Sequence, residues 1–118
     1  MAVLGLGIDV VAIDRFEATL ESSPTFAERV FTPQERELGT HSLAARWAAK
    51  EALAKALGAP AGLHWHDAEV VREDGGRPRL VMRGTVAARA AELGMTTFHL
   101  SLSHDAGIAS AVVVAEGD

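Results

Sequence analysis

The sequence contains no cysteine, which excludes disulfide-stapled scaffolds, thiol nucleophiles and cysteine-ligated zinc. Aromatic residues are scarce, at 5% of 118 residues, although 48% of the chain is hydrophobic. Much of the apolar content is alanine, so the expected core is thin for the length. Small domains of that kind often gain stability by oligomerising. A positive excess is also missing: 11 Lys and Arg face 16 Asp and Glu, a net charge of −5, which speaks against a nucleic-acid partner. No apolar run reaches the roughly 18 residues of a membrane span. The apolar N-terminal stretch has no cationic lead and is broken at Asp9, unlike a signal peptide. The expectation is one soluble, cytoplasmic domain over residues 1–118, acting without nucleic acid or membrane.

What is present reads as alternating strands and helices. Residues 2–13 are β-branched and aliphatic and predict a strand, followed by a short helix over 14–21. Pro24, Pro33 and Gly39 punctuate an irregular, partly helical stretch. The longest helical pattern covers 41–57 and stops at Gly58 and Pro60. Segments 67–73 and 78–82 flank Asp74-Gly75-Gly76 and predict a hairpin. An alanine-rich helix over 84–93 precedes a strand pair, 96–103 and 108–115, around His104-Asp105-Ala106-Gly107. Hairpin-type pairings in mixed order predict an α+β fold, a mostly antiparallel sheet on a long central helix.

Three places put a polar group where packing alone would choose otherwise. Side chains alternate along a strand, so Leu4, Leu6, Ile8, Val10 and Ala12 form one apolar face, while Asp9 shares the other with Gly5 and Gly7. The carboxylate then sits in a cleared space open to a ligand; a strand-end aspartate facing water, or capping the next helix, is the alternative. In the long helix, about 100° per residue places Lys50 inside the arc of Leu43, Leu53, Ala54 and Leu57, with Glu51 at its edge. A lysine there must be paired or reach solvent. In the strand before the last turn, Phe98, Leu100 and Leu102 are apolar and His99, Ser101 and Ser103 polar, with His104-Asp105 at the turn. A solvated sheet face accounts for the histidine and serines there, and less well for the His-Asp pair.

Other patterns are weaker. His64-Trp65-His66 lacks a third nearby ligand for a metal, which favours a loop. Gly5-Leu6-Gly7 lacks the third glycine of a dinucleotide fingerprint. Arg72, Arg77, Arg79 and Arg83 gather at the hairpin, where they could hold a phosphate or form a solvated edge. His99-Leu100-Ser101 matches one H-x-S element of a two-histidine phosphodiesterase, a chemistry that needs two.

Together, these segments resemble the holo-[acyl-carrier-protein] synthases. Gly7-Ile8-Asp9 with Arg15 is similar to that family's GxD…R opening, and residues 46–56, RWAAKEALAKA, to its RFAAKEAxxKA helix. FHLSLSH, ending at His104, resembles its VHVSxSH strand, and Gly76-Arg77-Pro78 its G-K/R-P turn. The resemblance implies an α+β 4′-phosphopantetheinyl transferase. Such an enzyme moves the phosphopantetheine arm of coenzyme A to a serine of apo-acyl carrier protein, releasing adenosine 3′,5′-bisphosphate, in fatty-acid or polyketide biosynthesis. It implies a homotrimer with sites between subunits. Two departures stand out: the stretch from Pro33 to His41 is short, and residues 1–49 carry seven acids against four arginines.

By the same resemblance, Asp9 and Glu51 hold Mg²⁺, a cation that takes one or two carboxylates and leaves the rest to water and phosphate. Lys50 neutralises the diphosphate or protonates the leaving oxygen, and Glu51 or a water polarised by the cation takes the serine proton. His104 binds a coenzyme A phosphate, with Asp105 orienting it. Arg46, Lys50, Lys55, Gly58, Gly76, Arg77 and Pro78 are further coenzyme A contacts, and Arg15 docks the carrier. A non-catalytic trimeric nucleotide-binding module is the rival reading, which loss of either metal carboxylate would have favoured.

Overall fold

The computed structural model describes residues 1–73 and 75–118; Asp74 of the expected turn lies outside them. Strand β1 (Ala2–Ala12) leads into helices α1 (Ile13–Ser22) and α2 (Phe26–Val30), then the long helix α3 (Thr40–Ala56). A hairpin of β2 (Ala68–Arg72) and β3 (Pro78–Met82) follows, then α4 (Gly84–Glu92) and a second hairpin, β4 (Thr97–Asp105) and β5 (Ile108–Gly117). The order β1-β5-β4 makes a three-stranded antiparallel sheet, beside the two-stranded β2-β3. Helix α3 packs across β1 and β5. This is the α+β arrangement, antiparallel sheet on central helix, that the sequence predicts.

Alanine and glycine set how closely helix and sheet approach. Ala48, Ala49, Ala52 and Ala56 of α3 and Ala111, Val113 and Ala115 of β5 are all buried in one cluster. On β1, a Cβ at Gly7 would overlap the Ala52 carbonyl, and one at Gly5 the Ala56 carbonyl. The space cleared by these glycines is therefore filled by α3, not left open to a ligand. This corrects the reading of Gly5 and Gly7; Asp9, two residues on, is the first side chain on this face to emerge beyond the helix. The apolar face of β1 points the other way: Leu6, Ile8 and Val10 are each more than 60% exposed. Their neighbours on β5, Val112 and Val114, are half-buried, while His99, Ser101 and Ser103 of β4 are exposed.

The few aromatics are concentrated rather than spread. Phe16, Phe26 and Phe31 meet edge-to-face at 6.0–6.4 Å, and the chain continues from Phe26 to Trp47 at 5.3 Å and Trp47 to Trp65 at 4.9 Å. Such pairs add to the area they bury. This second cluster, with Ile13, Val30, Leu43 and Ala45, anchors α1, α2 and the following loop against α3. Helix α3 ends where Gly58 takes a left-handed φ of 84°, and α4 begins on Asp67, whose carboxylate accepts from the Thr85 N–H and hydroxyl at 2.8 and 2.7 Å. Among the described residues no helix is long and apolar enough to cross a membrane.

Candidate active site

Two clefts flank α3. The smaller, about 380 Å³, is lined by Asp9, Val11 and Ala12 from β1, Arg15, Phe16 and Thr19 from α1, and Trp47 and Glu51 from α3, with Phe26 beneath. It brings Asp9 and Glu51 together. Lys55, one turn beyond Glu51, donates to Asp9 Oδ1 at 3.1 Å and to the Ile8 carbonyl at 2.9 Å. Asp9 is therefore not a helix cap; α1 starts without a side-chain cap at all. Partial burial and the Asp9 charge raise the Glu51 pKa above the ordinary carboxylate value, with Lys55 opposing. Two carboxylates in one opening, one raised by partial burial and further by the other's charge, form an all-oxygen donor set that a hard divalent cation would suit. Among the described residues no group of three or more His, Asp or Glu converges as a protein-only metal cage.

The larger cavity, about 760 Å³, lies across α3 between the β2-β3 hairpin and the end of β4, and its lining includes Glu35, His41, Arg46, Arg72, Glu73 and His104. The His41 and His104 rings are 6.1 Å apart. Arg46 is 8% exposed; its Nε donates to the Val70 carbonyl at 3.3 Å and its Nη1 to the Ser42 carbonyl at 3.4 Å. Burial lowers its pKa, with Glu35 opposing and Arg72 adding to the lowering. The cavity's three glutamates, Glu35, Glu69 and Glu73, pair with Lys50, Arg83 and Arg79, so Arg46 and Arg72 with the two histidines suit a phosphate-bearing ligand.

Lys50 is in neither cleft. Its Nζ is fully buried, pairs with Glu35 Oε1 at 2.8 Å, and donates to the carbonyls of Val30 at 2.7 Å and Trp65 at 3.1 Å. Its three N–H donors are thereby used within the core, 5.5 Å from the Phe31 ring centroid. The expected contact of Lys50 with diphosphate would require its Nζ to leave these partners. The helical arc that put Lys50 among apolar residues also put it inside, where a cation needs a counter-charge. Burial lowers its pKa and the Glu35 partner opposes.

Of the remaining candidates, Arg15 is exposed on the rim of the carboxylate cleft. Asp105 is exposed at the β4-β5 turn. Gly58, Gly76, Arg77 and Pro78 line neither cleft; Gly75 does line the larger one. At the hairpin, Arg79 pairs with Glu73 at 2.9 Å and Arg83 with Glu69 at 3.2 Å, all but Glu69 being exposed at the side chain or nearly so. His66 Nε2 lies 2.6 Å from the Glu28 carbonyl. Sequence reasoning missed Glu35, Glu69 and His41. The only signal for Glu35 was the demand of Lys50 for a partner, and nothing in its spacing selects it among the chain's acids.

Residues 5–112 match the family model of the 4′-phosphopantetheinyl transferase superfamily. The holo-[acyl-carrier-protein] synthase of Streptomyces avermitilis is 64% identical, covering 99% of this chain and 100% of that protein. Among solved structures, an ACPS–CoA complex from Chronobacterium ammoniagenes superposes with a TM-score of 0.87 at 32% identity, over 100% of this chain and 99% of that one. The Helicobacter pylori holo-[acyl-carrier-protein] synthase in complex with coenzyme A gives 0.81 at 31%, over 94% and 99%.

Proposed function

Because this chain belongs to the 4′-phosphopantetheinyl transferase superfamily, and within it is an enzyme of the holo-[acyl-carrier-protein] synthase family, we propose that it transfers the phosphopantetheine arm of coenzyme A to a serine of apo-acyl carrier protein. The serine oxygen bonds to the pantetheine-side phosphorus as the bridging oxygen of the diphosphate departs with adenosine 3′,5′-bisphosphate. The carboxylate pair of Asp9 and Glu51 in one cleft is the observation that carries this reading.

Charge builds on phosphoryl oxygens during such a displacement, so fixed positive groups supply most of the stabilisation. Asp9 and Glu51 would hold Mg²⁺, which when bound offsets that charge. Lys55 orients Asp9 through its 3.1 Å contact. Glu51, which lines the cleft beside Asp9, takes the serine proton, directly or through an ordered water. Arg15, exposed on the same rim, docks the carrier protein. Across α3, Arg46 and His104 bind coenzyme A phosphate, with His41 beside them.

The two clefts open in different directions. Arg46 and Glu51 are five residues apart and so about 140° apart around the helix. A ligand held by His104 and by the two carboxylates is best served by two chains. The exposed apolar row of Leu6, Ile8 and Val10, beside Val112 and Val114, supports the same conclusion, since a contiguous apolar face of a small protein marks an interface. We infer a homotrimer with sites between subunits, working in the cytoplasm in fatty-acid or polyketide biosynthesis. Mixing Glu51→Ala and His104→Ala chains, each inactive alone, then restores partial activity after subunit exchange; a verified mixed trimer with none would place each site within a single chain.

The mass of apo-acyl carrier protein after incubation with coenzyme A and Mg²⁺ tests the function. A gain of one phosphopantetheine arm supports it. Coenzyme A binding without a mass change would instead make the chain a binding module.

A further inference from the structure

Glu35 is the most elaborately partnered carboxylate among the described residues, and the chemistry proposed above does not use it. It is 2% exposed. Oε1 accepts from Lys50 Nζ at 2.8 Å and from the Thr32 N–H at 3.0 Å; Oε2 accepts from the Val70 N–H at 2.9 Å. Thr32 in turn donates its hydroxyl to Glu69 Oε2 at 2.7 Å. The node therefore fastens three pieces: the loop after α2, helix α3 and strand β2. Burying two charges for stability alone is poor economy, because an apolar pair of similar volume commonly does as well. What such a node provides is a fixed relative placement.

What it places is visible one bond further on. The Val70 peptide is held by Glu35 at its N–H, and its carbonyl accepts from Arg46 Nε at 3.3 Å. Ser42 takes Nη1. Neither N–H of Arg46 Nη2 has an acceptor among the described residues, although the side chain lines the large cavity. The guanidinium is thus anchored on one edge and offers the other.

We propose that Glu35 is the positioning residue for Arg46, acting through the Val70 peptide, with Lys50 as the counter-charge that lets a carboxylate occupy the core. The Glu35–Lys50 pair serves coenzyme A affinity rather than the transfer step. This rests on the reading that the cavity receives coenzyme A.

The test is a cycle of variants read as KM and kcat for coenzyme A, with KM for the carrier protein as control. Glu35→Gln alone strands the Lys50 charge, so Glu35→Gln/Lys50→Met serves as the folded variant, checked by its thermal melt. Its coenzyme A KM rises about tenfold, the loss of one charge-assisted hydrogen bond. Its kcat and carrier KM stay at the wild-type level. Arg46→Ala raises the same KM, and adding the Glu35→Gln/Lys50→Met pair to it changes nothing further, as expected of residues acting in series. A fall in kcat with unchanged KM, or an additive triple variant, overturns the proposal while leaving the cavity assignment intact. An Arg46→Ala enzyme with wild-type KM overturns the cavity assignment, and the positioning role with it.

Discussion

Lys50 and Glu51 are consecutive residues of α3, yet they occupy opposite electrostatic situations. The lysine is sealed in the core with a carboxylate and two carbonyls. The glutamate stands in an open cleft beside a second carboxylate, its pKa raised by partial burial and by that neighbour. One region satisfies its charge completely; the other sets two carboxylates against the single Lys55 ammonium, which pairs with Asp9 and leaves Glu51 without a charge partner of its own among the described residues. Full compensation marks structure and incomplete compensation marks chemistry.

Removing a charge from each region should separate the two behaviours. The largest effect falls on the open cleft. Asp9→Ala or Glu51→Ala lowers phosphopantetheinyl transfer about a thousandfold. The melting temperature of Glu51→Ala holds or rises as like-charge repulsion is relieved, while Asp9→Ala also gives up its ion pair with Lys55. Wild-type turnover in Asp9→Ala at ordinary Mg²⁺ contradicts the assignment. In the sealed region the pattern inverts: Lys50→Met leaves Glu35 buried and unpaired, costing about 3 kcal/mol in a urea titration. The folded fraction still transfers the arm.

Between the regions lies the helix–strand seam, where Gly7→Ala forces a methyl into the Ala52 carbonyl and costs about 2 kcal/mol in overpacking. A variant as stable as the parent would show that α3 can lift off β1. A smaller effect is expected at the rim. Arg15→Glu raises the carrier KM about tenfold in a salt-sensitive way and leaves coenzyme A binding alone; equal weakening of both ligands sinks the docking role. Acid should sharpen the contrast last. Glu69 is held below its ordinary value, first by the Thr32 hydrogen bond and also by Arg83, and Asp67 by its bonds to Thr85. Folded values below unfolded ones mean that their stabilisation is full above the ordinary carboxylate range and is lost as pH falls through the depressed values. Glu69→Gln therefore flattens the acid limb of stability against pH, and an unchanged limb would remove Glu69 from the account.

The difference also explains what could be read from the sequence. Elements were legible because period and punctuation are local: α3 with its Gly58 stop, and the two hairpins, came from patterning alone. Asp9 and Glu51 stood out mainly through the family resemblance: the cleared space beside Asp9 is filled by α3, and the helical arc singled out Lys50, with Glu51 only at its edge. Two things were not legible. Which face of β1 packs was misleading, because its apolar residues are the exposed ones and its glycines the packed ones; alternation marks two faces without saying which of them the helix covers. The partner of Lys50 was hidden because Glu35 lies 15 positions away in an irregular segment, and only the tertiary fold brings it in.

The glycine–alanine seam has a consequence for any library of variants sorted on activity alone. Gly7 is two positions before Asp9, and Ala52 one after Glu51. Their contact sets the separation of strand and helix at the place where the two carboxylates emerge. An added methyl would spread the carboxylates apart as surely as it would disturb packing. In such a sort, Gly7 will be recovered unchanged about as strictly as Asp9 and Glu51, and so will Ala52, whose side chain is fully buried in the core cluster, although neither has a functional group to offer. A map of intolerant positions would then draw the active centre one layer too deep, counting the spacer as part of the machinery it spaces.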